Sequence, residues 1–158
     1  SNLALEHYLN EIGLDLKRTP VGDRYVVEEM RRSNYNLGGE QSGHIIMTDY
    51  MTTGDGLVAA LQFLFALVDS GHSASEIANT FVPYPQVIRN VELKGKGNVL
   101  EQEKVKKTVS AVQNMLGKKG RLIVRKSGTE PVIRVMVEHP DGSLVEEVVD
   151  QIISVMEK

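Results

Sequence analysis

The segment FVPYPQ, residues 81–86, sets two prolines two positions apart near the middle of the chain. Each proline fixes its own φ, lacks an amide donor and pushes the residue before it into extended geometry. No helix can cross such a segment, so it reads as a linker, and the two sides of it carry different patterns.

Beyond the linker the order is regular. QVIRNVELKG predicts a strand, and residues 99–116 predict a helix with Val105, Val109, Val112 and Leu116 on one stripe. RLIVRK predicts a strand, residues 127–131 a loop, and VIRVMVEH another strand. A closing helix over 143–157 repeats Leu144, Val145, Val148, Val149, Ile152 and Met156 with a 3.6-residue period. The order β-α-β-β-α makes residues 87–158 a small α+β domain, with helices on one face of an antiparallel sheet.

Residues 1–80 read as an α/β piece. LALEHYLNEIG suggests a helix closed by Gly13, LDLKRT a short strand, and VGDRYVVEEMRRSN a helix with Val26, Val27 and Met30 on one stripe. NLGGEQSGH is expected to be an exposed loop, because three glycines in six residues oppose regular structure, and IIM a buried strand. The helix at 57–69 is apolar almost all round, which places it in a core between a sheet and another layer. SASEIANT carries a capping-box pattern, Ser73 with Glu76. Two or three strands are too few for a helix as apolar as 57–69, so the sheet of this first domain is expected to be incomplete.

Composition narrows the function classes. A formal charge of −3 with no dominant basic block argues against nucleic acid, whose backbone demands a concentrated positive surface. KGKG at 94–97 and Arg31-Arg32 are the basic clusters, and a solvated surface accounts for both. Without cysteine there is no disulfide, no thiolate nucleophile and no Cys-built zinc site, which makes a reducing cytoplasm the expected compartment. LVAALQFLFALV (57–68) is too short to span a bilayer, and the reading is of a soluble protein without a signal peptide.

Two loops carry chemistry. Residues 125–134 place Arg125 and Arg134 on strands flanking a turn with the hydroxyls of Ser127 and Thr129 and the backbone N–H groups of Gly128 and Thr129. A positive φ at Gly128 would let those groups converge on an anion, and guanidinium forks grip phosphate bidentately. The same residues also suit a polar hairpin whose arginines pair with Glu130 or Glu138, and spacing alone does not choose between the two. GGEQSGH at 38–44 gathers a carboxylate (Glu40), a hydroxyl (Ser42) and an imidazole (His44), groups suited to a hydroxyl-rich ligand such as a sugar. A plain glycine-rich loop is the competing description. TTGDG at 52–56 is explained by a helix N-cap, and no Asp-x-Asp-x-Asp spacing offers a magnesium site.

Taken in order, VGDRYVVEEM (21–30), YNLGGEQSGHIIM (35–47), TTGDG (52–56) and RKSGTEPVIRVMVE (125–138) resemble the α-D-phosphohexomutase superfamily over essentially the whole chain. Many members have Pro where this chain has Lys126. The resemblance implies a four-domain enzyme that isomerises a hexose 6-phosphate to the 1-phosphate. A phosphoserine and Mg²⁺ from earlier domains would take part, with a 1,6-bisphosphate as intermediate. It implies that this chain is the latter part of domain three plus all of domain four. Glu40, Ser42 and His44 would then be sugar contacts, and Arg125, Ser127, Gly128, Thr129 and Arg134 the site for the phosphate not being transferred. No serine-nucleophile loop and no DGD-type metal loop occurs in the 158 residues, so no catalytic residue and no metal ligand is expected here, and the chain alone should be inactive. The wording GGEQSGH and VGDRYV favours the branch acting on glucosamine phosphate, through glucosamine 1,6-bisphosphate, and so serving UDP-N-acetylglucosamine synthesis. Glucose- or mannose-phosphate mutases are the near alternative, and a stand-alone, non-catalytic sugar-phosphate module the distant one. Ser1 in place of an initiator Met leans toward a piece of a longer protein. Oligomeric state is not written in the sequence.

Overall fold

In the computed structural model, residues 1–92, 98–128 and 130–157 are described. The expected strand end at 93–95, the KGKG run and Thr129 lie outside them. The chain forms two compact units: Tyr8–Val82 with Ser1, and Pro83–Lys158 with Asn2–His7.

The second unit has the β-α-β-β-α order, in strands β3 (Gln86–Glu92), β4 (Arg121–Lys126) and β5 (Val132–Glu138) and helices α5 (Glu103–Leu116) and α6 (Gly142–Glu157). The sheet order is β3-β5-β4, antiparallel throughout. Side chains alternate faces along a strand. Val91, Ile133, Val135 and Val137 therefore share one face with Val87, Leu122 and Val124, and this face packs under Val105, Val112 and Leu116 of α5 and Val145, Val148, Val149, Ile152 and Met156 of α6. Both helices bury the stripes expected of them. The helix foreseen over 99–116 is instead a 3-10 turn, Val99–Glu101, followed by α5, with the break at an extended Gln102.

On the other face of this sheet Glu138 is fully buried. Its carboxylate accepts from Gln86 Nε2 at 2.6 Å and from the backbone N–H of Leu3 at 3.1 Å, with Arg121 at 3.7 Å. Leu3 opens helix α1 (Leu3–Glu11), and a carboxylate at a helix N-terminus satisfies an otherwise orphaned donor. Asn2 adds a second tie, since its amide spans the backbone N–H and carbonyl of Tyr84. These bonds explain why Asn2–His7 pack with the second unit.

In the first unit, α2 (Asp23–Ser33) buries Val26 and Met30 against Ile46, with Val27 beside them. Residues Leu37–Gly39 form β1, antiparallel to β2 (Ile45–Met47), so the loop expected over 36–44 is confined to residues 40–44. The glycines do not prevent a strand here because α2 requires one of them. A Cβ on Gly38 would meet Met30 Sδ, and Val26 Cγ1 at 2.7 Å. Of β2 only Ile46 is buried, whereas Ile45 is exposed. The segment LDLKRT is not a strand: no ladder partner pairs with it among the described residues, and an extended run without one is not a sheet.

Helix α3 (Gly56–Ser70) is N-capped by Asp55, which accepts from the N–H groups of Leu57 and Val58, and is closed by Gly71 at φ 68°. The core position expected for it is not found, because none of its residues is buried. Leu57, Leu61, Leu64, Phe65 and Val68 form one exposed stripe. The sheet of this unit is a ribbon of two three-residue strands, too small a surface to cover fifteen residues. Helix α4 (Ala74–Ala78) follows with the expected capping box. No helix is long and apolar enough to cross a membrane among the described residues.

Candidate functional site

Register settles where the two arginines lie. Arg125 on β4 stands directly opposite Arg134 on β5, and Arg134 opposite Asn90 on β3. Directly opposed residues project from the same face, so Asn90, Arg134 and Arg125 form one row across all three strands, on the face away from α5 and α6. That row borders the 127–131 loop. Lys126 falls on the helix-side face, turned away from Arg125.

The loop is closed by its own groups. Ser127 N–H donates to the carbonyl of Val132 at 2.8 Å, and Ser127 Oγ accepts from the N–H of Glu130 at 3.3 Å. Gly128 does not adopt the positive φ that would let the loop's N–H groups converge. A Cβ on Gly128 would meet nothing within 4 Å, so the space above the loop is open. Thr129 lies outside the described residues.

Arg134 donates to Glu130 Oε2 at 2.8 Å, one of the two pairings that spacing had left open, and its Nε is buried without a partner among the described residues. Arg125 is exposed, and no described carboxylate pairs with it. The arrangement is thus a two-guanidinium row whose inner member is held by a carboxylate from the loop. A carboxylate and a phosphate present similar oxygens to a guanidinium, so Glu130 occupies Arg134 in the way an anionic ligand could.

In the first unit, the 40–44 loop brings Glu40, Ser42 and His44 together. Glu40 N–H donates to the His44 carbonyl at 2.9 Å, which closes the hairpin, and Gly43 takes φ 99° within it. Ser42 Oγ stands 3.0 Å from His44 Nδ1, and Glu40 Oε2 stands 3.5 Å from the same nitrogen. The imidazole side chain is 58% exposed and the carboxylate only 15%. Glu40 Oε1 accepts from the backbone N–H of Gly22, a contact that loop spacing did not reveal. Asn90 also went unremarked in the sequence; strand register is the signal that places it with the arginines. No group of three or more His, Cys, Asp or Glu could hold a metal ion among the described residues, so these residues do not fit a magnesium site.

Comparison with known proteins gives a consistent family. The model of the phosphoglucomutase/phosphomannomutase alpha/beta/alpha domain III matches residues 1–84, and that of the phosphoglucomutase/phosphomannomutase C-terminal domain matches residues 89–155. The chain is 56% identical to the phosphoglucosamine mutase of Roseobacter denitrificans over 97% of its own length and 34% of that protein's. It is 56% identical to the phosphoglucosamine mutase of Novosphingobium aromaticivorans over 100% of its length and 35% of that protein's. The chain therefore spans about a third of these relatives. Among solved structures, Aspergillus fumigatus N-acetylphosphoglucosamine mutase in complex with GlcNAc-6P and magnesium superposes with a TM-score of 0.76 at 16% identity. That match covers 98% of this chain and 39% of the other, and it speaks to the fold.

Proposed function

Because the chain belongs to the phosphoglucomutase/phosphomannomutase family, we propose that it is the sugar- and phosphate-holding part of a phosphoglucosamine mutase, which interconverts glucosamine 6-phosphate and glucosamine 1-phosphate. The observation that carries the reading is the shared face of Arg125 and Arg134 beside the 127–131 loop. Two planar forks on one face can grip a single tetrahedral anion from two directions. The phosphate not being transferred would displace Glu130 from Arg134, engage Arg125, and take further bonds from Ser127, Gly128 and Thr129. Glu40, Ser42 and His44 would read the sugar hydroxyls.

A phosphate socket that recognises the anion and not the ring can hold either end of a 1,6-bisphosphate. Positioning of this kind raises the effective concentration of the reacting group without supplying the chemistry. The phosphoryl donor and the Mg²⁺ ligands would come from residues other than those described, with glucosamine 1,6-bisphosphate as the intermediate and the cytoplasm as the compartment. The high identity to proteins named phosphoglucosamine mutase favours glucosamine over glucose or mannose phosphate. A coupled assay of the full-length protein is the test. Conversion of glucosamine 6-phosphate far faster than of glucose 6-phosphate or mannose 6-phosphate is expected, and the reverse preference would overturn the substrate assignment.

A further inference from the structure

The VGDR stretch at 21–24 has no part in either loop, yet one of its atoms touches the sugar-facing one. Gly22 N–H donates to Glu40 Oε1 at 2.9 Å, across eighteen residues of chain. Gly22 is the N-cap of α2, with φ 132° and ψ 130°, a region that essentially only glycine occupies. A Cβ there would also sit 3.2 Å from Tyr25 Cδ2. In this form the N–H of Gly22 faces Glu40, and the positive end of α2 favours a carboxylate at that point.

The second oxygen of Glu40 faces His44 Nδ1 at 3.5 Å, and that nitrogen is 3.0 Å from Ser42 Oγ. The connection runs from Gly22 through Glu40 to the imidazole and the hydroxyl. Glu40 is turned inward and His44 outward.

We propose that Gly22 is the positioning residue of the sugar-facing loop, its backbone N–H fixing Glu40 and, through it, the orientation of His44 and Ser42. The proposal rests on the reading of residues 40–44 as the sugar-facing loop. It gives the glycine of the VGDR stretch a role that no side chain could fill.

The test uses the full-length protein with glucosamine 6-phosphate and three variants. Glu40→Ala and Gly22→Ala each raise KM roughly tenfold, the scale of one charge-assisted hydrogen bond, with a smaller effect on kcat. Glu40→Gln keeps an acceptor oxygen for Gly22 while removing the carboxylate charge. Amide hydrogen exchange supplies a readout independent of activity. The Gly22 amide is protected in the wild type and in Glu40→Gln, and exchanges freely in Glu40→Ala. Unchanged Gly22 exchange in Glu40→Ala overturns the tether, as does a folded Gly22→Ala variant with the wild-type KM. If Glu40→Ala releases the Gly22 amide but leaves KM unaltered, the tether stands and the sugar-loop reading fails. The exchange comparison needs only Glu40 variants, so it decides the matter even if Gly22→Ala does not fold.

Discussion

Two guanidinium groups on one sheet face are a costly arrangement unless something negative lies between or beside them. Glu130 meets that need for Arg134, leaving one Arg134 nitrogen buried and without a partner among the described residues. In the full-length protein, Arg125→Ala and Arg134→Ala should each raise KM for glucosamine 6-phosphate roughly 10- to 100-fold, the worth of one or two charge-assisted bonds. Arg134→Lys should recover only part of this, because an ammonium cannot form the fork. An unchanged KM in either alanine variant would remove the phosphate assignment. Gly128 offers a contrast: Ala fits its present conformation without contact, so Gly128→Ala should leave the melting temperature unchanged while weakening sugar-phosphate binding, where a close approach of the ligand is needed. Spacing placed both arginines beside one turn, and strand pairing put them on one face. Spacing could not show which carboxylate holds Arg134, because that depends on how a five-residue loop folds back on its own strand.

At the scale of elements, patterns with a clear period translated directly into structure. The stripes of α5 and α6 became the second core, and the Asp55 cap and the Ser73–Glu76 box formed as written. Glycine was the misleading signal: Gly38 sits in a strand because α2 fills the space of its missing side chain. Gly38→Ala should therefore destabilise the protein by about 1–3 kcal/mol through overpacking, measured by denaturant unfolding. Glu138 is legible only in three dimensions, since its partners include a backbone amide 135 residues away. Glu138→Ala should cost about 2–3 kcal/mol by leaving buried donors unmatched, and it should release α1, seen as faster amide exchange over residues 3–7. The α4 box adds a pH dependence. The Ser73 hydroxyl first, and the Ser73 backbone N–H second, hold the Glu76 carboxyl below its ordinary value. A depressed folded-state value means the contribution is present above the usual carboxylate range and lost as pH falls through the lowered one, so α4 amides should lose protection on acidification.

At the scale of the whole molecule, the second unit carries a core of its own, whereas the first displays the five-residue apolar stripe of α3. The apolar character of 57–68 pointed to burial, yet none of the residues of α3 is buried. The same reading counted too few strands for such a helix and expected an incomplete sheet, and the first unit's sheet is a two-stranded ribbon. This chain on its own should bind a dye specific for exposed apolar surface, and Leu61→Lys with Phe65→Lys should reduce that binding without lowering the unfolding midpoint. It should also show no mutase activity alone, since holding a phosphate in place accelerates nothing without a donor. The account as a whole depends on a ligand reaching Arg125 and Arg134 together. A crystal structure of the full-length protein with glucosamine 6-phosphate tests this most directly. Phosphate oxygens at about 3 Å from both guanidinium groups, with Glu130 displaced, are the predicted result. A phosphate bound elsewhere, with Arg134 still on Glu130, would contradict it.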